Sequence, residues 1–318
     1  MLSDLNRKHH DGSPIRGDFR LKDYWERQQD DGGLQGVLTL EDASGRCSQI
    51  IADEDPSPIQ AFRCPGLVRG VIQPVTDDLH TKAIVLSMEE IGVDDVDNGA
   101  ALLPRAECDD EALPALRTVI TFNASISTPE LRSFLNRVLL DDEIAYPLMR
   151  QSAGSKSAHP YKGGLLAHGT DWLDEARRLA RLTFPVSKLG DRSRDLVAVT
   201  QIGYLFHDLY RAILDDLEVT FSDRFLGKLM VRMLEPHLDW LAQQNSGFAR
   251  DLRALLLPED GPGGVSKQTH LARNIIRWCD NQRQARDLAR AWARQVGEPA
   301  ANDPVVDMPM SPRTVSHV

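Results

Sequence analysis

Apolar and polar residues alternate in short runs over the first part of the chain. Helical spacing replaces that pattern from about residue 110 onward. The runs "GVLTLED", "CSQIIAD", "GLVRGVIQ" and "TKAIVLSMEEI" are β-branched or alternating, and Gly, Pro or Asp clusters separate them. This pattern predicts strands. "EDASGRC" reads as a tight polar turn joining the first two. Several short strands in so little chain predict a small closed β-barrel. The helical part includes "TPELRSFLNRVL", where Thr128 is an N-cap, Pro129 the first helical position and Glu130 an acid in the first turn. It continues through "GGLLAHGTDWLDEARRLARL", "SRDLVAVTQIGYLFHDLYRAILDDL", "SDRFLGKLMVRMLEPHLDWLAQQ" and "QTHLARNIIRWCDNQRQARDLARAWARQ".

The expected fold is therefore an α+β, two-domain chain. Residues 1–17 form a flexible polar arm, 18–95 a small OB-like β-barrel, 110–296 an all-α bundle and 297–318 a disordered Pro- and Asp-rich tail. Four scattered cysteines without a C-x-x-C pair suggest neither a zinc knuckle nor a disulfide framework, so a cytoplasmic location is expected. No apolar run approaches the roughly 20 residues of a membrane helix, and "MLSDLNRKHHDG" lacks the apolar core of a signal peptide. The net charge of −10 argues against a surface coated in basic groups for nucleic acid.

Candidate chemistry sits on the helical part. Leu165, His168, Trp172, Ala176 and Leu179 fall on one helical stripe, which turns His168 inward. The next stripe holds Leu196, Val199, Gly203, Phe206, Tyr210 and Ile213, with His207 and Asp208 on it or at its edge. A carboxylate there is costly to bury without a partner. A divalent cation would satisfy all three groups, since neutral imidazole and carboxylate suit Mn²⁺, Co²⁺, Fe²⁺ or Zn²⁺. Asp280, after "ARNIIRWC", raises the same question. Each group also has an ordinary explanation: an inward histidine hydrogen-bonded in the core, or Asp280 capping a turn or paired with Arg283.

"KSAHPYKGGLLAHG" followed by "YLFHDLYR" resembles the start of an HD-domain phosphohydrolase. The order of features is similar to the YhaM-type 3′–5′ exoribonuclease family, which joins an OB-fold to an HD domain. A second resemblance is to the HD module of TraI-like relaxase or helicase proteins of conjugative elements, which share a Gly-Gly-Leu-Leu-x-His opening. "WCDNQRQARDLA" looks like their closing segment. The resemblance implies metal ligation by His168, His207, Asp208 and Asp280, with Asp208 also catalytic. It makes Arg211 and His159 catalytic candidates as well, with His159 beside the site on substrate or a second metal, and makes His237 a candidate extra ligand. The family's Ile-Gly-Lys after its doublet is Leu209, Tyr210 and Arg211 here. Arg211 keeps a phosphate-holding cation in forked geometry, whereas Tyr210 puts a ring where glycine is usual. "RALLLPEDGPGG" lacks the family's further histidine pair, so one metal is expected.

The implied function is a metal-dependent phosphodiesterase, a 3′–5′ exonuclease on single-stranded RNA or DNA. Two alternatives stand beside it: a catalytically degenerate HD/OB scaffold of a mobile element, and a small-nucleotide phosphohydrolase. Single-stranded nucleic acid is the expected partner, and the family also suggests a homo-oligomer. The barrel segment opposes a strand, because residues 18–92 hold 7 Lys or Arg against 14 Asp or Glu. Arg46, Arg63 and Arg69 could still line one face of the barrel. Arg273, Arg277, Arg283, Arg286, Arg290 and Arg294 give the last helix a basic character, read more readily as a solvated helix paired with its own acids than as a phosphate track.

Overall fold

A computed structural model describes residues 13–28, 32–52, 62–77, 80–154, 157–214, 222–257 and 266–296. The tail expected after residue 297 lies outside these residues, as does most of the expected arm. Among the described residues, no helix is long and apolar enough to cross a membrane.

Five strands come first among the described residues: β1 (Ile15–Gln28), β2 (Leu34–Asp42), β3 (Gly45–Ala52), β4 (Gly66–Asp77) and β5 (His80–Glu90). They pair in the order β1-β2-β3-β5-β4, and β4 pairs back onto β1, which gives a barrel. All pairings are antiparallel except a short parallel stretch joining β3 to β5 at Ile50, Ile51 and Ala52. β1 starts earlier than its polarity suggests, because Ile15 already pairs with Ile72. Its first half lies on β4 and its second half on β2, with a register shift between Leu21 and Asp23 where the strand bends. The expected polar turn is present, with Asp42 Oδ1 accepting from Ser44 N at 2.7 Å and from Gly45 N at 3.0 Å. Phe19, Leu21, Leu38, Leu40, Val68 and Ile72 fill the barrel.

Ten α-helices follow among the described residues: α1 (Leu113–Ser125), α2 (Pro129–Leu140), α3 (Asp142–Arg150), α4 (Gly164–Thr170), α5 (Leu173–Thr183), α6 (Val186–Leu189), α7 (Arg192–Leu205), α8 (Asp223–Gln244), α9 (Ser246–Leu256) and α10 (Lys267–Val296). They enclose one apolar core around side chains such as Leu116, Phe134, Leu166, Tyr204 and Leu238. Pro129 occupies the first position of α2, as expected, but Thr128 makes no side-chain cap. Its hydroxyl donates to Asp195 on α7 instead.

Two predicted helices are shorter than their patterns. The stripe from Leu165 to Leu179 is cut at Trp172 (φ −118°, ψ 20°), so α4 and α5 are separate. The stripe running to Ile213 stops at Leu205, and Ile213 is exposed. His207 and Asp208 therefore stand in a turn before a 3-10 segment, Leu209–Ala212, and not on a helix face.

A buried polar seam holds the barrel to the helices. Arg20 alternates outward from Phe19 and Leu21, is 4% exposed, and donates to Leu102 O at 2.6 Å, Leu139 O at 2.7 Å and Leu140 O at 3.1 Å. Two of these carbonyls end α2 and lack helical partners, so a cation is the natural complement. Arg20 also bonds Asp142. Next to it, Glu107 accepts from Lys22 at 3.3 Å, Arg150 at 2.7 Å and Arg46. Arg46 is thereby committed to this seam, and Arg69 is bonded to Asp18 at 2.7 Å.

Candidate metal centre

The Gly-Gly pair before the first histidine of interest is there for close approach. A Cβ on Gly164 would lie 2.1 Å from His159 O, so only glycine lets the incoming loop fold onto the start of α4. One residue beyond His168, a Cβ on Gly169 would meet Leu205 O at 2.5 Å. α4 can therefore lie directly on the C-terminal end of α7. That contact carries His168, which is 1% exposed, to the turn bearing His207 and Asp208.

The rings of His168 and His207 stack with centroids 5.3 Å apart, and the Tyr204 ring also stacks on His207, at 4.9 Å. His168 Nε2 lies 2.8 Å from Asp208 Oδ2. His207 Nδ1 donates to Tyr204 O at 2.6 Å, which leaves Nε2 facing Asp280 Oδ1 at 3.4 Å. α10 supplies Asp280 from 73 residues away. Among the described residues, His168, His207 and Asp280 each bring one ligand atom within 4.8 Å of the other two. His168, His207 and Asp280 thus come together, while Asp208 lies outside this group of three and reaches it through its contact with His168.

Burial and charge act in opposite directions here. Burial pushes the His168 imidazole below its ordinary value, with Asp208 only partly offsetting it. Burial also opposes the cationic form of His207, but the carboxylates of Asp208 and Asp280 outweigh it and raise that imidazole. Burial disfavours both carboxylates in turn. His207, His168 and Arg211 nevertheless hold Asp208 well below the usual range, while His207 and Arg283 bring Asp280 to about 2.

Each carboxylate also carries an internal cation. Arg211 Nε donates to Asp208 Oδ2 at 3.0 Å and its Nη1 to Ala153 O at 3.3 Å. Arg283 Nη2 donates to Asp280 Oδ1 at 2.8 Å, and Gln284 Nε2 to Asp280 Oδ2 at 2.8 Å. The pairing of Asp280 with Arg283 weighed from sequence is therefore made, together with the approach to His207. Tyr210 is half-buried, with the Arg211 guanidinium 5.5 Å from its ring centre.

Two other histidines lie outside the group of three ligand atoms. His159 Nε2 contacts Asp171 Oδ2 at 2.9 Å and its Nδ1 contacts Tyr161 Oη at 2.9 Å, while Arg286 also bonds Asp171. His237 Nε2 contacts Asp141 Oδ2 at 2.9 Å. α8 packs on α2, and His237 meets Asp141 at the start of α3. His237 thus does not join His168, His207 and Asp280 among the described residues.

The group of three suits a borderline divalent cation, with two imidazoles, one held neutral by burial, and the ionised carboxylate of Asp280, while Asp208 stands behind His168. The buried Nδ1 of His168 has no hydrogen-bond partner among the described residues. Tyr204, Gln284 and Asp171 are additions that the motif did not bring forward. The local signal for two of them was spacing, with Tyr204 three residues before His207 and Gln284 one helical turn after Asp280. Compared with models of known protein families and with curated proteins, the chain finds no match.

Proposed function

We propose that this protein is a divalent-metal-dependent phosphohydrolase that cleaves phosphodiesters of a single-stranded nucleic acid, working from the 3′ end. The carrying observation is the approach of His168, His207 and Asp280, whose ligand atoms lie within 4.8 Å of one another. Those three and Asp208 would hold Mn²⁺, Co²⁺, Fe²⁺ or Zn²⁺. Such a cation supplies Lewis acidity toward water and toward a phosphoryl oxygen. Asp208 orients His168 through its 2.8 Å contact. Arg211, beside Asp208 at the half-exposed edge, offers a forked guanidinium to a phosphate.

The strand order β1-β2-β3-β5-β4 supports an OB-like reading of the barrel, and such barrels track single strands. The exposed Trp25 on β1 offers one stacking surface. The HD-type reading rests on the motif order in the sequence together with this geometry.

The test combines metal analysis with cleavage. Purified protein should hold a transition metal, and with Mn²⁺ it should shorten 5′-labelled single-stranded RNA or DNA. His207→Ala should abolish cleavage. Hydrolysis of nucleoside mono- or triphosphates with no oligonucleotide cleavage would favour a small-molecule phosphohydrolase instead.

One observation favours a second reading, a metal-free scaffold. Asp208 and Asp280 are already charge-matched by Arg211 and Arg283, so the cluster can stand as a buried ion-pair network. Absence of any bound metal together with no cleavage under any divalent ion would select that reading.

A further inference from the structure

A cavity of about 370 Å³ opens between the end of α1, the second half of α5 and the first half of α7. A smaller cavity of about 220 Å³ adjoins it and shares Phe122, Ser125, Arg177 and Gln201. The larger cavity runs along α7 from Ser193 to Gln201 and the smaller touches it at Gln201, whereas His207 and Asp208 follow its C-terminal end and line neither. Their combined size is in the range of small-ligand sites, which run from roughly 300 to 1,000 Å³.

The charge lining this space is unusual for a chain of net charge −10. Arg177, Arg181 and Arg194 line the larger cavity, and Arg117 joins Arg177 in the smaller. Asp174 is the acid among the lining residues. Arg177 and Arg181 lie one helical turn apart on α5, where like charges repel. Among the described residues, no ion pair joins Arg117, Arg177 or Arg181 to a carboxylate, although Arg178 between them is paired with Glu175 at 2.6 Å. Arg194 reaches only the exposed Asp191, at 3.9 Å. Arg117, Arg181 and Arg194 are exposed and Arg177 half-buried, so the guanidiniums form the open rim of the cavity, where an anion would relieve their repulsion.

The rest of the lining argues for more than a bare anion. Phe122 and Val197 present buried apolar surface, and Val186 adds an exposed methyl edge. Gln201 is 5% exposed and donates from Nε2 to Leu173 O at 3.4 Å, which fixes its amide between the two cavities. An apolar floor, an oriented amide and a rim of guanidiniums suit a flat heterocycle joined to phosphates.

We propose that this cavity binds a nucleoside phosphate, with Arg117, Arg177, Arg181 and Arg194 on its phosphates and its base over the Phe122 floor. The site is separate from the metal centre and does not depend on that reading.

Isothermal titration calorimetry of the full chain in EDTA at low ionic strength tests this, with ADP, UDP, pyrophosphate and adenosine as probes. At least one of the two nucleotides should bind, pyrophosphate more weakly, and adenosine hardly at all. Combining Arg177→Glu with Arg181→Glu should weaken nucleotide binding at least tenfold while the thermal midpoint stays unchanged. The single change Arg117→Gln, on another helix, should weaken it severalfold, and His207→Ala should leave it intact. The proposal is overturned if neither nucleotide nor pyrophosphate binds, if the arginine variants bind as the parent does, or if pyrophosphate binds as tightly as the better nucleotide.

Discussion

His168 Nε2 sits 2.8 Å from Asp208 Oδ2, joining α4 to the turn that follows α7. The contact pairs an imidazole kept neutral by burial with a carboxylate kept ionised by its neighbours. It is the link through which the first histidine and the doublet act as one unit.

Metal binding at that unit should be visible as stability. With Mn²⁺ at about 100 times its dissociation constant, the parent protein should gain about 2.7 kcal/mol. EDTA should reverse the gain. Asp208→Asn keeps the shape but removes the charge, and should lose most of the Mn²⁺-dependent shift in thermal midpoint. A shift of equal size in the variant would remove Asp208 from the ligand set.

Gly169→Ala tests how α4 is seated. The added methyl would meet Leu205 O at 2.5 Å, and both partners are held by helix backbone. Destabilisation by about 1–3 kcal/mol is expected, typical of overpacking. Urea unfolding measures it. Metal content of the folded variant should fall in parallel, because His168 moves with α4.

Arg20→Met tests the seam between barrel and helices. It would leave the carbonyls of Leu102, Leu139 and Leu140 without their donor in a buried place. The expected cost is roughly 2–5 kcal/mol. Chemical denaturation should report it, and a change within about 0.5 kcal/mol would show that water replaces the guanidinium.

Glu107 makes the same seam sensitive to acid. Contacts with Arg150, Arg46 and Lys22 lower its carboxyl from 4.5 to about 2 despite partial burial. A carboxyl lowered on folding contributes stability that is present above the unfolded value and is lost as pH falls through the folded one. The midpoint difference between parent and Glu107→Gln should therefore be full near neutral pH and shrink between 4.5 and about 2. A difference that stays constant across that window would mean the seam does not depend on the charge of Glu107.

Local periodicity determined much of this protein. The alternation in "GVLTLED" and "GLVRGVIQ" marked β2 and β4, and the stripes around His168 and Val199 marked inward faces. The order of His168, His207, Asp208 and Asp280 pointed to one centre. A side-chain period reports which face is apolar, but not what lies opposite it. Only the tertiary structure decided that β3 meets β5 in parallel, that His237 faces Asp141, and that Arg20 reaches the end of α2. It also broke the stripe at Trp172 and ended α7 at Leu205, so that helices could cross at Gly169. The guarding of Asp280 by Arg283 was legible because the two lie one helical turn apart, whereas the approach of Asp280 to His207 spans 73 residues. Contacts of that reach are set by how whole elements pack, and local spacing carries no record of them.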